Sequence, residues 1–186
     1  MQIKEFLDFI KKPGYREDGD NSFNDRLRIV SSLLMLALAI SLALAFIIGI
    51  LGELGPWNIE DHAFDALFEK YAATWILFLG CIVAPVMEEL IFRGPMWFFR
   101  DSRYFPAIFY GLTLAFALIH LSNFPNVAEI WPIAPVLISP QLSIGLFLGF
   151  IRVRFGLLWS MAFHAAYNFI FLAPVLLLNE LGIPFS

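Results

Sequence analysis

The sequence predicts an all-α fold: a polytopic bundle of about five transmembrane helices, preceded by a short interfacial helix. Three observations carry this expectation. Hydrophobic residues make up 60% of the 186-residue chain and charged residues only 15%, far from the balance of a water-soluble domain. Several stretches approach or exceed the roughly 20 apolar residues needed to cross a hydrocarbon core about 30 Å thick. Lys and Arg collect in alternate connecting loops, as they do when every second loop faces the cytoplasm.

Residues 1–28 are polar, with Ile3, Phe6, Leu7 and Ile10 at helical spacing before Lys11, Lys12, Pro13 and Gly14 interrupt the pattern, so an interfacial helix is expected there. The first span follows at 29–51. Its length and the polar segment before it fit a signal-anchor helix better than a cleaved signal peptide, although Ala43 and Ala45 imitate a cleavage site. Further spans are expected at 70–92 with a continuation to 100, at 104–121, at 132–151 and at 155–178. Gly145 and Gly149 in the fourth form a GxxxG pair, read as helix packing with a dimer interface as the alternative.

The loops support this count. The N-terminal segment holds Lys4, Lys11, Lys12, Arg16, Arg26 and Arg28, whereas the next loop holds only Lys70 beside Glu53, Glu60, Asp61, Asp65 and Glu69. Arg100 and Arg103 follow the second span, no basic residue follows the third, Arg152 and Arg154 follow the fourth, and none follows the fifth. The chain is therefore expected to be an integral protein of a bacterial inner membrane with its N-terminus in the cytoplasm and its C-terminus outside. A net charge of −4 without a basic, aromatic-interleaved run argues against a nucleic-acid partner. Cys81 stands alone in an apolar run and reads as a buried packing residue.

The ionisable residues inside the spans are Glu88, Glu89, Arg93, His120 and His164. A charge at the bilayer centre costs about 2.5 to 3.5 kcal/mol on insertion scales, so three within a turn and a half call for pairing or for function. Glu89 and Arg93, at i and i+4, can neutralise each other on one helix face. Glu88 points about 100° away and is left over. Rise per residue puts Glu88 about 18 Å, His120 about 25 Å, His164 about 15 Å and Asn168 about 21 Å from the basic ends of their spans, so all four can meet near the midplane. His164 and Asn168 share a face at i and i+4. A buried glutamate assisted by a histidine can take a proton from water while a second histidine and a carboxamide stabilise an oxyanion, which is the chemistry of peptide hydrolysis. The set Glu88, His120 and His164 could equally hold zinc or another divalent cation, and the reaction could need no metal at all.

These residues fall into three ordered motifs. EELIFR at 88–93 fits EExxxR, FALIH at 116–120 fits FxxxH, and HAAYN at 164–168 fits HxxxN. Together they resemble the CAAX-processing and bacteriocin-processing intramembrane proteases, the CPBP or Abi family, also described as metalloproteases. The resemblance implies a transmembrane protease domain at 29–178 with its catalytic core at 70–178, after a cytoplasmic segment at 1–28 and before a short tail at 179–186. It implies Glu88 as the water-activating base, His120 as its partner, His164 and Asn168 completing the site, and Glu89, Arg93 and Phe116 in support. The substrate would be a membrane-associated protein or peptide. Family members acting on prenylated CAAX proteins often carry additional helices, which leaves prenyl specificity open here.

The rival readings are a small proton-coupled transporter, which also uses buried Glu and His but for which no internal repeat speaks, and a catalytically silent membrane scaffold. The chain contains no HExxH, no GxGD and no GxSG, the signatures of other intramembrane proteases. The topology is directly testable. A reporter fused at Ser186 is expected to give a non-cytoplasmic signal and one at the N-terminus a cytoplasmic signal; a cytoplasmic signal from both would change the span count by one.

Overall fold

The computed structural model describes residues 2–17, 22–56, 70–124 and 127–183, and no strand occurs among them. The acidic loop residues Glu60, Asp61, Asp65 and Glu69, and the end of the tail, lie outside the described residues. Helix α1 (Gln2–Lys11) precedes α2 (Phe23–Leu54), α3 (Ala73–Phe99), α4 (Phe105–Asn123), the short α5 (Val127–Leu137), α6 (Ser139–Phe155) and α7 (Leu157–Glu180). Four of these, α2, α3, α4 and α7, are long and apolar enough to cross a membrane, and α5 with α6 makes a fifth span if the bent pair crosses as one.

Local chemistry sets the boundaries. Ser22 caps α2, its hydroxyl accepting from the Asp25 amide and contacting the Asp25 carboxylate at 2.7 Å. The helix then runs for 32 residues, about 48 Å, well past the limits expected for the first span. Helix α3 changes pitch twice. A π-helical turn at Leu79–Val83 precedes Pro85, and a 3₁₀ segment at Gly94–Phe99 carries Pro95; each proline lacks the amide hydrogen that a regular helix would use. The span expected at 132–151 is interrupted for the same reason. Pro132, Pro135 and Pro140 divide it into α5 and α6, which meet at a 48° bend.

Helix α6 is the buried centre, with Ile144, Phe147, Leu148, Phe150, Ile151 and Val153 nearly inaccessible. It packs against α2, α4 and α7. Gly145 and Gly149 face α4 within the chain: a Cβ on Gly145 would meet Thr113 Cγ2 at 2.9 Å, and one on Gly149 would strike the Phe109 ring. The GxxxG pair is thus the contact of two neighbouring helices. Large apolar side chains on the outer faces of α2 and α3, among them Met35, Phe46, Ile82 and Ile91, are exposed, as lipid-facing positions should be.

One end of the bundle is basic and tightly closed. The interfacial helix α1 lies there, with Phe6 stacked on Phe147 at 4.2 Å and Phe9 edge-on to Phe109 at 5.1 Å, while Ile3 and Leu7 stay exposed. Glu5 pairs with Arg154, the Tyr110 hydroxyl donates to the Ile10 carbonyl, and Arg152 Nη1 donates to the Tyr15 hydroxyl at 2.8 Å. Removal from water and the neighbouring Glu17 raise the Tyr15 hydroxyl pKa, so Tyr15 stays neutral and keeps its role at ordinary pH. Exposed aromatic residues mark both ends, Trp97, Phe98 and Tyr104 at the basic one and Tyr71, Trp75 and Trp131 at the other, in the manner of interfacial belts.

Gly149→Ala drives a methyl group into the Phe109 ring and is expected to lower stability by about 1 to 3 kcal/mol, the usual cost of overpacking. Gly111→Ala, where nothing lies within 4 Å, should leave stability unchanged or raise it by up to about 1 kcal/mol. Thermal unfolding of the two variants in detergent compares them directly.

Candidate active site

The ion pair expected between Glu89 and Arg93 is present and dry. Arg93 Nη1 lies 3.3 Å from Glu89 Oε1, and both side chains are wholly inaccessible. The contact is coulombic rather than a shaped hydrogen bond, since neither Nη1 nor Nε of Arg93 has a hydrogen-bond partner. Two further contacts hold the guanidinium: Nη2 reaches the Gly145 carbonyl at 3.5 Å, and its carbon sits 4.0 Å above the Phe116 ring. A Cβ on Gly145 would lie 3.4 Å from the same Nη2, so the guanidinium packs directly on α6.

Glu89 does more than neutralise Arg93. Its Oε2 accepts from the Ser160 hydroxyl at 2.5 Å, and its Oε1 lies 3.1 Å from His164 Nδ1. A carboxylate can only accept, so His164 Nδ1 carries a hydrogen, and in the neutral ring Nε2 is left as an acceptor. Nε2 faces the other glutamate, 3.6 Å from Glu88 Oε2. The role expected for Glu89, pairing with Arg93 in support of the site, is therefore widened: it also sets the tautomer and orientation of His164. Ser160 lies one turn before His164 on α7 and shares its face, the only hint of its role in the sequence.

His120 ends the α-helical part of α4, where Nδ1 donates to the Phe116 carbonyl at 2.7 Å. That bond leaves Nε2 of the neutral ring free to accept a proton. The Phe116 ring contacts both histidines, with centroids 4.8 Å from His120 and 5.8 Å from His164, and the Arg93 guanidinium as well.

Asn168 is positioned by the π turn of α3. There the Ala84 amide donates to Leu79 rather than to Gly80, as it would in an α-helix. The next amide able to reach Gly80 would be that of residue 85, and Pro85 has none. The orphaned Gly80 carbonyl accepts instead from Asn168 Nδ2 at 2.8 Å. One amide hydrogen of Asn168 is thereby committed and the other remains. A side chain on Gly80 would collide with Leu172, 2.6 Å from its Cβ position.

Glu88, His120, His164 and Asn168 line one cavity of about 540 Å³ enclosed by α2, α3, α4, α6 and α7. Phe116 contributes to the same wall, while Glu89 and Arg93 lie behind it. The Glu88 side chain is 28% exposed and the Glu89 side chain not at all, so only the first is open to water and substrate. Sequence reasoning missed Ser41, Gln141 and Tyr167 in the lining. The Tyr167 hydroxyl donates to Ser41 Oγ at 2.7 Å, tying α7 to α2, and Gln141 Oε1 is buried without a partner. As for a metal, no three His, Cys, Asp or Glu side chains among the described residues gather as a ligand set. Glu88, His120 and His164 share the cavity lining, with His164 Nε2 3.6 Å from Glu88 Oε2.

The comparisons bear on the same region. A sequence model of the family described as type II CAAX prenyl endopeptidase Rce1-like matches residues 70–170, more than half of the chain, from the start of α3 through all three motifs. No curated protein and no solved structure matches. With its membrane-spanning helices and this match, the chain belongs to the Rce1-like type II CAAX prenyl endopeptidases, a family of membrane-embedded proteases.

Proposed function

We propose that the protein is an intramembrane endopeptidase that hydrolyses a peptide bond of a membrane-associated protein or peptide with a water activated by Glu88, using residues 70–178 as its catalytic core. The observation that carries this reading is the convergence of Glu88, His120, His164 and Asn168 on one cavity in which Glu88 is the accessible carboxylate. The Glu88 carboxylate, aided by His120 Nε2, takes a proton as the water oxygen bonds to the scissile carbonyl carbon. The remaining amide hydrogen of Asn168, and His164 when both its nitrogens carry hydrogen, donate to the oxyanion. Collapse breaks the C–N bond, and the proton held by Glu88 passes to the leaving amine. Glu89, Arg93, Ser160 and Phe116 hold the reacting groups in place.

Two substitutions separate chemistry from scaffolding. Glu88→Gln keeps shape but cannot accept the proton, so cleavage of a membrane substrate, read by intact mass, is expected to fall by the 10²- to 10⁴-fold typical of a lost general base, with the unfolding temperature unchanged. Glu89→Gln leaves Arg93 charged and unpaired in a dry interior, at a cost of about 3 to 5 kcal/mol, and is expected to lose folded yield first. Adding Arg93→Met to Glu89→Gln should recover that yield, because no charge then remains unpaired. Full activity in Glu88→Gln, or destabilisation equal to that of Glu89→Gln, would remove Glu88 from the role of base.

The cavity also generates an expectation about metal. Asn168 is a poor zinc ligand and a good oxyanion donor, and Glu88, His120 and His164 do not form a ligand set. Cleavage is therefore expected to persist after treatment with a strong chelator. Loss of activity on chelation, restored by zinc, would reverse the assignment.

A further inference from the structure

We infer that the hydroxyl pair of Ser41 and Tyr167 is a substrate-binding element of the cavity, donating its unspent O–H to a backbone carbonyl of a polypeptide bound in non-helical form. The inference rests on the protease reading in taking the occupant to be a polypeptide; the hydroxyl pair itself stands on geometry.

A serine in an apolar helix ordinarily spends its hydrogen on a carbonyl three or four residues back, as Ser32 of α2 does on Ile29 at 2.9 Å. Ser41, nine residues further along the same helix, does not. Its Oγ lies 2.7 Å from the Tyr167 hydroxyl on α7, and among the described residues neither hydroxyl has a second hydrogen-bond partner. Two hydroxyls bring two hydrogens, and the bond between them uses one. Whichever oxygen donates, one O–H is left without an acceptor. Ser41 is only 3% exposed, so bulk water does not make good the deficit, and donation within the pair strengthens the remaining O–H as a donor. Both residues line the cavity that holds Glu88, His120, His164 and Asn168. The missing acceptor is therefore supplied by what fills the cavity.

The chemistry of the occupant follows from what a protease must do to it. In a helix each carbonyl is bonded to the amide four residues on, so a peptide bond offered to Glu88 lies in an unwound segment. Within a membrane every carbonyl released in this way needs a donor from the protein. His164 and the second amide hydrogen of Asn168 are assigned to the reacting carbonyl, which leaves its neighbours unserved. Tyr167 and Asn168 are successive on α7 and point about 100° apart, so the hydroxyl pair serves a different carbonyl from the one that Asn168 serves. Ser41 stands on α2, which carries none of the three motifs. The contact is made to bound substrate and transition state alike, so its loss raises KM and leaves kcat unchanged.

The test uses Ser41→Ala together with Tyr167→Phe, because either change alone leaves one hydroxyl and its hydrogen behind. Removing both partners leaves no orphan, and the unfolding temperature in detergent is expected to stay unchanged. The probe is a fluorescent leucine–alanine peptide of about 20 residues with a central Gly–Gly pair, titrated in lipid nanodiscs against the Glu88→Gln protein so that it is not cut. The double change is expected to weaken binding about 3- to 10-fold, the worth of one hydrogen bond. Replacing one carbonyl oxygen of the peptide by sulfur, a weaker acceptor, is expected at one position near the Gly–Gly pair to weaken binding to the parent by a similar factor and to have no effect on the double variant. Equal affinity of parent and double variant, a sulfur effect that is the same in both, a fall in unfolding temperature with binding unchanged, or no binding of the peptide by the parent overturns the inference. Cleavage is scored apart, in proteins with Glu88 intact. The expected binding pattern without any cleavage removes the protease reading alone, while cleavage of a membrane substrate with the same KM in parent and double variant removes this inference alone.

Discussion

The Glu89 carboxylate is the point on which the rest of this structure depends. A charge this far from water is tolerated only if its oxygens are occupied, and here they are shared among Arg93 on its own helix and Ser160 and His164 on α7. Arg93 in turn reaches the Gly145 carbonyl of α6 and the Phe116 ring of α4. One polar cluster therefore ties four helices together where apolar contact alone would leave their rotation and depth weakly specified. Lipid tails are as apolar as leucine, so polar contacts and close packing must supply much of that specificity within a membrane.

The adjacent glutamates divide the packed interior from the cavity by geometry alone. Successive residues on a helix point about 100° apart, which turns Glu89 into the packed interior and Glu88 into the cavity. His164 stands between them, its Nδ1 toward the first and its Nε2 toward the second. The packed interior thus reaches the cavity through the imidazole of His164, whose tautomer Glu89 selects.

Backbone irregularities are the second means by which the site is assembled. Pro85 and the π turn before it orphan the Gly80 carbonyl, and that carbonyl anchors Asn168 from the opposite helix. Gly145 and Gly149 let α4 approach α6 closely, making room for Thr113 and the Phe109 ring. The prolines that bend α5 away from α6 leave Pro140 and Gln141 on the cavity wall. The π turn and the proline bend are places where a regular helix is interrupted, and both border the cavity.

Much was legible in the sequence because membrane crossing and helix periodicity act locally. Apolar length marked α2, α3, α4 and α7, the i, i+4 spacing marked the Glu89 and Arg93 pair, and three motifs marked Glu88, His120, His164 and Asn168 among the polar residues that line the cavity. The bend within the fourth span gave no signal, because hydropathy does not register the rigidity of Pro132, Pro135 and Pro140. Ser160, Ser41, Tyr167 and Gln141 gave no signal, since isolated polar residues acquire meaning only from what faces them. The link from Glu89 to His164 joins residues 75 apart in the chain, the anchor on Asn168 depends on an amide that α3 lacks, and the closed basic end requires α1 to fold back across α4 and α6. Such contacts are set by how helices pack, and only the tertiary structure decides them.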